Sequence, residues 1–187
     1  MSVGELPTSL LVGGKKRAIR SDYRVALDIF EAYNDVNLNE RQKETVLLVC
    51  LYVEPEKIEP DYYREALEKA SWFLDGGRAY KEATNNKKVV DWEQDESMLF
   101  SAINRVAGKE VRAMRYMHWW TFLGYFAEMG ECLYSTVLNI RSKKVKGKKL
   151  DKTEQEWYKA NKDVVDLRTR YTEEEKAEME RLKALFK

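Results

Sequence analysis

Several places in the 187-residue chain carry side chains whose type and spacing could do chemistry. His118, the single histidine, lies in the run MHWWTFLGYF (117–126) and could serve as a neutral-pH acid or base, or as a metal ligand. It lacks a local companion. No histidine follows at the fourth position, neither Cys50 nor Cys132 is spaced with it, and Glu128 lies almost three helical turns away. The expectation is a structural histidine whose ring nitrogens are satisfied by backbone, Thr121 or water. In DWEQDE, the acids Asp91, Glu93 and Asp95 alternate as in a calcium loop. The most demanding positions of that loop hold Glu96 instead of glycine and Ala102 instead of a bidentate acid, so acids favoured by a helix N-terminus explain the run better. Carboxylate pairs carry no weight in a chain with 32 acids. Nucleophile-elbow, P-loop and dinucleotide patterns are absent from the sequence. No enzyme activity, metal or cofactor is expected.

The strongest charge cluster is Arg141, Lys143, Lys144, Lys146, Lys148 and Lys149, with no acid between them. Such a patch can meet phosphate, but it lacks interleaved aromatics and a phosphate-binding glycine loop. A solvated turn between helices is the simpler expectation. The 33 basic and 32 acidic residues nearly cancel, so no global field draws the chain to nucleic acid or an anionic membrane.

The elements that position these residues are expected to be helices. Three prolines and nine glycines, with 35% charged residues, favour helices with short loops over a sandwich or barrel. At the N-terminus, TSLLV-GG-KKRAIR predicts a small hairpin over 9–20, leaning on the helices through residues such as Leu11 and Ile19. Asp22 and Asn39 can cap the first two helices, and a third runs from Pro60 to the stop at Gly76-Gly77. The stretch 76–90 has no pattern and reads as an exposed, mobile loop. Asp91 with Gln94, Asp151 with Glu154 and Thr172 with Glu175 have capping-box spacing ahead of three further helices. The fold expected is mainly α: a compact multi-helix bundle with a small N-terminal hairpin. Residues 1–170 would form one domain and 171–187 an amphipathic C-terminal helix. Cys50 lies in an apolar run, and the N-terminus lacks a basic and apolar leader, which together suggest a reduced, cytoplasmic protein.

MHWWTFLGYF itself belongs to a predicted helix over 115–129. On a wheel, His118, Thr121, Gly124 and Glu128 share one narrow stripe and apolar residues occupy the rest, which predicts a central core helix. The run is too short to span a membrane.

Taken in order, IRSDYR, WFLDGG, VVDWEQDESMLFSAINRVAGKEV, MHWWTFLGYFAEMGE, LNIR and LDKTEQEWYKANKD resemble the bacteriophage gene product fifteen family over Leu11 to Leu167. The most specific element is His118-Trp119-Trp120-Thr121-Phe122 placed after Asp91 and Asp95. The resemblance implies a tail-module protein of long-tailed phages and prophages, acting as a tail assembly chaperone. Such a protein keeps the tape-measure protein soluble, recruits tube subunits and is absent from the finished virion. The resemblance carries over no catalytic residues. Its implied partners are the tape-measure protein, and the tail tube protein or a second tail chaperone. A holdase needs accessible apolar grooves, expected with Tyr116, Met117 and Tyr125 at the rim. Beyond the resemblance, Met179, Leu182, Leu185 and Phe186 make a stripe that can grip a partner helix or pair with a second copy. The alternatives are a nucleic-acid-binding phage protein using 141–149, or a minor structural tail component.

Overall fold

The computed structural model describes residues 4–78 and 88–185, with the side chain of Leu185 excepted. Most of the stretch read as a mobile loop, and Phe186 of the C-terminal stripe, lie outside the described residues. The chain is mainly α with one small antiparallel hairpin.

β1 (Ser9–Val12) pairs with β2 (Lys15–Ala18) in a register running from Ser9 opposite Ala18 to Val12 opposite Lys15. Gly13 and Gly14 supply φ of +57° and +70° at the turn, as a two-residue hairpin loop requires. Gly13 has a second reason to be glycine, because a Cβ there would lie 2.7 Å from the Tyr62 ring. Strand alternation buries Leu10 and Val12 and leaves Leu11 exposed, so Leu11 does not anchor the hairpin as expected. Ile19 does: it is buried and forms a β-bridge with Tyr52.

Asp22 caps α1 (Tyr23–Asn34) by accepting from the Arg24 N–H, and Asn39 with Gln42 forms a reciprocal capping box on α2 (Glu40–Leu51). The carbonyls at the end of α2 have no helical partner; the Arg20 guanidinium collects those of Val49, Cys50, Tyr52 and Val53. α3 (Tyr63–Leu74) ends in a Schellman turn, with Gly77 N–H on the Trp72 carbonyl and Gly76 N–H on that of Phe73. Its inward face is Ala66, Ala70, Phe73 and Leu74, whereas Tyr63 is exposed.

α4 (Glu96–Ala107), α5 (Trp119–Ala127) and α6 (Leu133–Val145) complete the packed centre. α1 packs on α2 and α5, α2 on α3, and α4 on both α5 and α6. The centre is filled by Tyr23, Ile29, Leu51, Phe73, Leu99 and Phe122, each worth about 1.5–3 kcal/mol in transfer from water. The stacked pair Tyr23 and Phe122, with centroids 4.7 Å apart and planes 5° apart, joins α1 to α5.

The predicted helix after Asp151 is broken in two, α7 (Lys152–Ala160) and α8 (Lys162–Val165). Asn161 interrupts it by turning its side-chain amide back onto the Trp157 carbonyl. α9 (Glu173–Leu185) starts at the expected Thr172–Glu175 box, and its described side chains are exposed apart from half-buried Met179. Among the described residues, no helix is long and apolar enough to cross a membrane.

Candidate functional site

The segment leading into α5 is held by backbone pairing. Tyr23 N–H donates to the Met117 carbonyl at 2.9 Å and Trp119 N–H to that of Ser21 at 2.8 Å. This pairing carries Met117 inward, where it is 3% exposed, so Met117 is core and not a groove rim. Tyr116 stays outside, half exposed, its hydroxyl 2.8 Å from Ser21 Oγ. Tyr125 is half-buried against the core and does not line the hollow described below.

His118 is the N-cap of α5. Its Nδ1 accepts the Trp120 N–H at 3.0 Å and its Nε2 lies 3.0 Å from the Pro7 carbonyl, which assigns the proton to Nε2. Burial pushes its pKa down against the raising effect of the Pro7 hydrogen bond. The imidazole is thereby a neutral structural cap with both nitrogens engaged by backbone.

Because His118 is a cap, the helix begins later than predicted, and of its nine residues only Trp119 and Phe122 are fully buried. The two indoles are fixed by the end of α3: Trp119 Nε1–H donates to the Leu74 carbonyl and Trp120 Nε1–H to that of Phe73, each at 2.8 Å. With their polar atoms satisfied, the ring carbons of Trp120, together with Leu123, Phe126, Trp92 and Phe30, wall an open apolar hollow of about 630 Å³. Trp92 knits that wall, stacking on Phe30 at 5.5 Å and meeting Phe126 at 5.8 Å. Gly77 lies so close to the Trp120 ring that a Cβ there would be 2.6 Å from it.

A second hollow, about 800 Å³, is lined by chain neighbours of the first: Phe30 and Trp92 line the first, and Glu31, Asp91 and Glu93 beside them in sequence line the second. It is lined by the acids Asp28, Glu31, Asp35, Asp91 and Glu93 against the cations Arg168, Arg170 and Lys176. Arg170 binds Asp91 and Glu93, and Lys176 binds Glu173. Among the described residues, Asp28, Glu31 and Asp35 have no ion-pair partner, and neither has Arg168. Desolvation, reinforced by Asp22, pushes the Asp28 carboxyl above its usual range. Asp91 behaves oppositely. Burial works against its charge, but the Gln94 N–H, Lys88 and Arg170 outweigh that and hold its pKa down to about 2.

The alternating acids of DWEQDE, where no calcium loop is expected, all pair with cations within the chain. Asp95 forms no cap for α4; it turns inward to Arg141, which is 4% exposed and so is removed from the basic surface patch. Position 141 follows Tyr134 and Val137 on the buried stripe of α6, a helical spacing that marks it as inward-facing in the sequence. Lys143 pairs with Glu154, and Lys144 with Asp166 and the Tyr158 ring. Lys146, Lys148 and Lys149 remain without an ion pair among the described residues. Of the C-terminal stripe, Met179 is half-buried and Leu182 is 46% exposed. Sequence reasoning misses the hollow's walls, because periodicity places Trp120, Leu123 and Phe126 with the core.

The chain is mainly α with a tryptophan-walled surface hollow, and among the described residues no group of three or more His, Cys, Asp or Glu side chains converges as a metal site would require. The family described as Bacteriophage Gp15 protein matches residues 3–167, and the chain belongs to that family of bacteriophage proteins. No curated protein and no solved structure matches it.

Proposed function

We propose that this phage protein is a non-catalytic tail assembly chaperone that binds the tape-measure protein during tail morphogenesis. It acts in the host cytoplasm, is absent from the mature virion, and has the tail tube protein or a second tail chaperone as further partners. The observation that carries the reading is the open hollow beside α5, where Trp120, Leu123 and Phe126 present apolar surface to solvent on a rigid wall. Aromatic surface of that kind, fixed before binding, anchors apolar side chains at a low ordering cost. A tape-measure protein is long and helical and exposes apolar stripes until the tube surrounds it, so it is a fitting client.

The nucleic-acid alternative has less in its favour, because internal pairing of Arg141, Lys143 and Lys144 leaves three lysines of the basic segment without an ion pair among the described residues. Coexpression tests the proposal. The tape-measure protein is expected to become soluble and to co-purify with this chain. Equal insolubility with and without the chain, and no recovered complex, would overturn it.

A further inference from the structure

Resting on the reading of this chain as a binder of helices, we infer that the two hollows form one docking surface for a cationic amphipathic helix. The apolar half is the wall of Trp120, Leu123 and Phe126. The acidic half begins one residue away along the chain, where Glu31 follows Phe30 and Glu93 follows Trp92. A helix laid over that wall presents its apolar side chains to the aromatic hollow and its flank to Asp28, Glu31 and Asp35. Those three carboxylates have no ion-pair partner among the described residues and outnumber the two lining cations without one, Arg168 in the acidic hollow and Arg78 in the apolar one, the latter beside the carboxylate of Asp75. Lysine or arginine on the flank is therefore favoured and acid disfavoured.

Gly124 supports the same geometry. It sits inside α5 on the hollow's lining, and a Cβ built there would meet nothing within 4 Å. Its φ is not in the left-handed region, so neither packing nor backbone conformation within the chain calls for glycine. A mid-helix glycine weakens a helix relative to alanine, and a close approach by another backbone is a reason to keep one.

The test uses the full chain and two amphipathic helical peptides of about 20 residues, identical except for lysine or glutamate flanks. Binding is followed by tryptophan emission, since Trp92 and Trp120 line the hollow. The lysine peptide should bind about 10-fold tighter than the glutamate peptide, with an affinity that falls as salt rises. The joint change Asp28→Asn, Glu31→Gln, Asp35→Asn should erase that preference. Gly124→Ala should raise the melting temperature yet weaken the lysine peptide about 10-fold, a split that simple damage to the fold does not produce. Equal binding of both peptides, no binding of either, or indifference to Gly124→Ala overturns the inference. So does a change in emission with protein concentration alone, which would make a second copy the occupant. The chaperone reading fails separately. A tape-measure complex that forms and ignores all these substitutions refutes the surface only; peptides that bind as expected beside a tape-measure protein that is never captured refute the chaperone only.

Discussion

Arg141 on α6 and Asp95 at the start of α4 form a two-pronged ion pair inside the protein, Nη1 to Oδ2 at 2.6 Å and Nη2 to Oδ1 at 2.9 Å. The remaining donors of the guanidinium reach the carbonyls of Val89, Val164 and Val165, and Tyr134 donates its hydroxyl to Asp95. One side chain thereby joins α4, α6, the end of α8 and the segment before Asp91. Its geometry fits an Arg fork and no other residue.

Replacing Arg141 by leucine leaves the buried Asp95 carboxylate without a cation, held only by the Tyr134 hydroxyl and the Asp91 N–H, and takes the guanidinium donors from three carbonyls. The expected loss is about 3–5 kcal/mol in urea unfolding, with Arg141→Lys recovering only a small part. Lys146→Ala, at an exposed position with no ion pair among the described residues, is expected to stay within about 0.5 kcal/mol of the parent.

Asp91 gives stability a dependence on acid. Its folded pKa, about 2, lies below the ordinary 3.8, so the unfolded chain binds its proton first as pH falls. The contribution is complete above about pH 4 and is lost toward pH 2; at neutral pH it amounts to about 2 kcal/mol. Unfolding curves of the parent and Asp91→Asn should differ by that amount at pH 6 and converge by pH 2.

His118 acts in a higher window. Its Nδ1 must stay unprotonated to accept the Trp120 N–H, and burial lowers its pKa below the ordinary 6.5. The unfolded state therefore takes up the proton first, and stability is full above about pH 6.5 and declines below it. His118→Asn keeps a side-chain oxygen at the cap but has no titrating group, so its stability should be lower at pH 8 and flat where the parent declines. Chemical denaturation at closely spaced pH values between 5 and 8 reads the difference.

Local signals in the sequence translated directly into structure: the Gly13-Gly14 turn, the cap at Asn39 and the boxes at Asp151 and Thr172 each involve atoms within a few residues. What depended on distant partners did not. Asp91 with Gln94 has the spacing of a helix start, yet α4 begins only at Glu96, and Asp95 before it is claimed by a cation 46 residues away. Arg141 sits in a run of lysines, and only its place on the buried stripe of α6 distinguishes it. The family resemblance over MHWWTFLGYF was legible, but apolar periodicity cannot tell a residue covered by a neighbouring helix from one left lining a hollow, and Trp120, Leu123 and Phe126 are of the second kind.

The hollow's wall depends on a glycine far from it in sequence. Gly77 adopts φ of +79° in the turn that ends α3, and a Cβ there would press to 2.6 Å on the Trp120 ring. Gly77→Ala therefore meets both a strained backbone and a ring that is tethered through its Nε1–H to the Phe73 carbonyl. A cost of about 1–3 kcal/mol is expected from the backbone alone. Because the ring must give way, near-ultraviolet circular dichroism and tryptophan emission of the folded variant should change as well. Gly14→Asn provides the comparison: it also has positive φ but open space around its Cβ, so it should cost less and leave both tryptophan signals as they were.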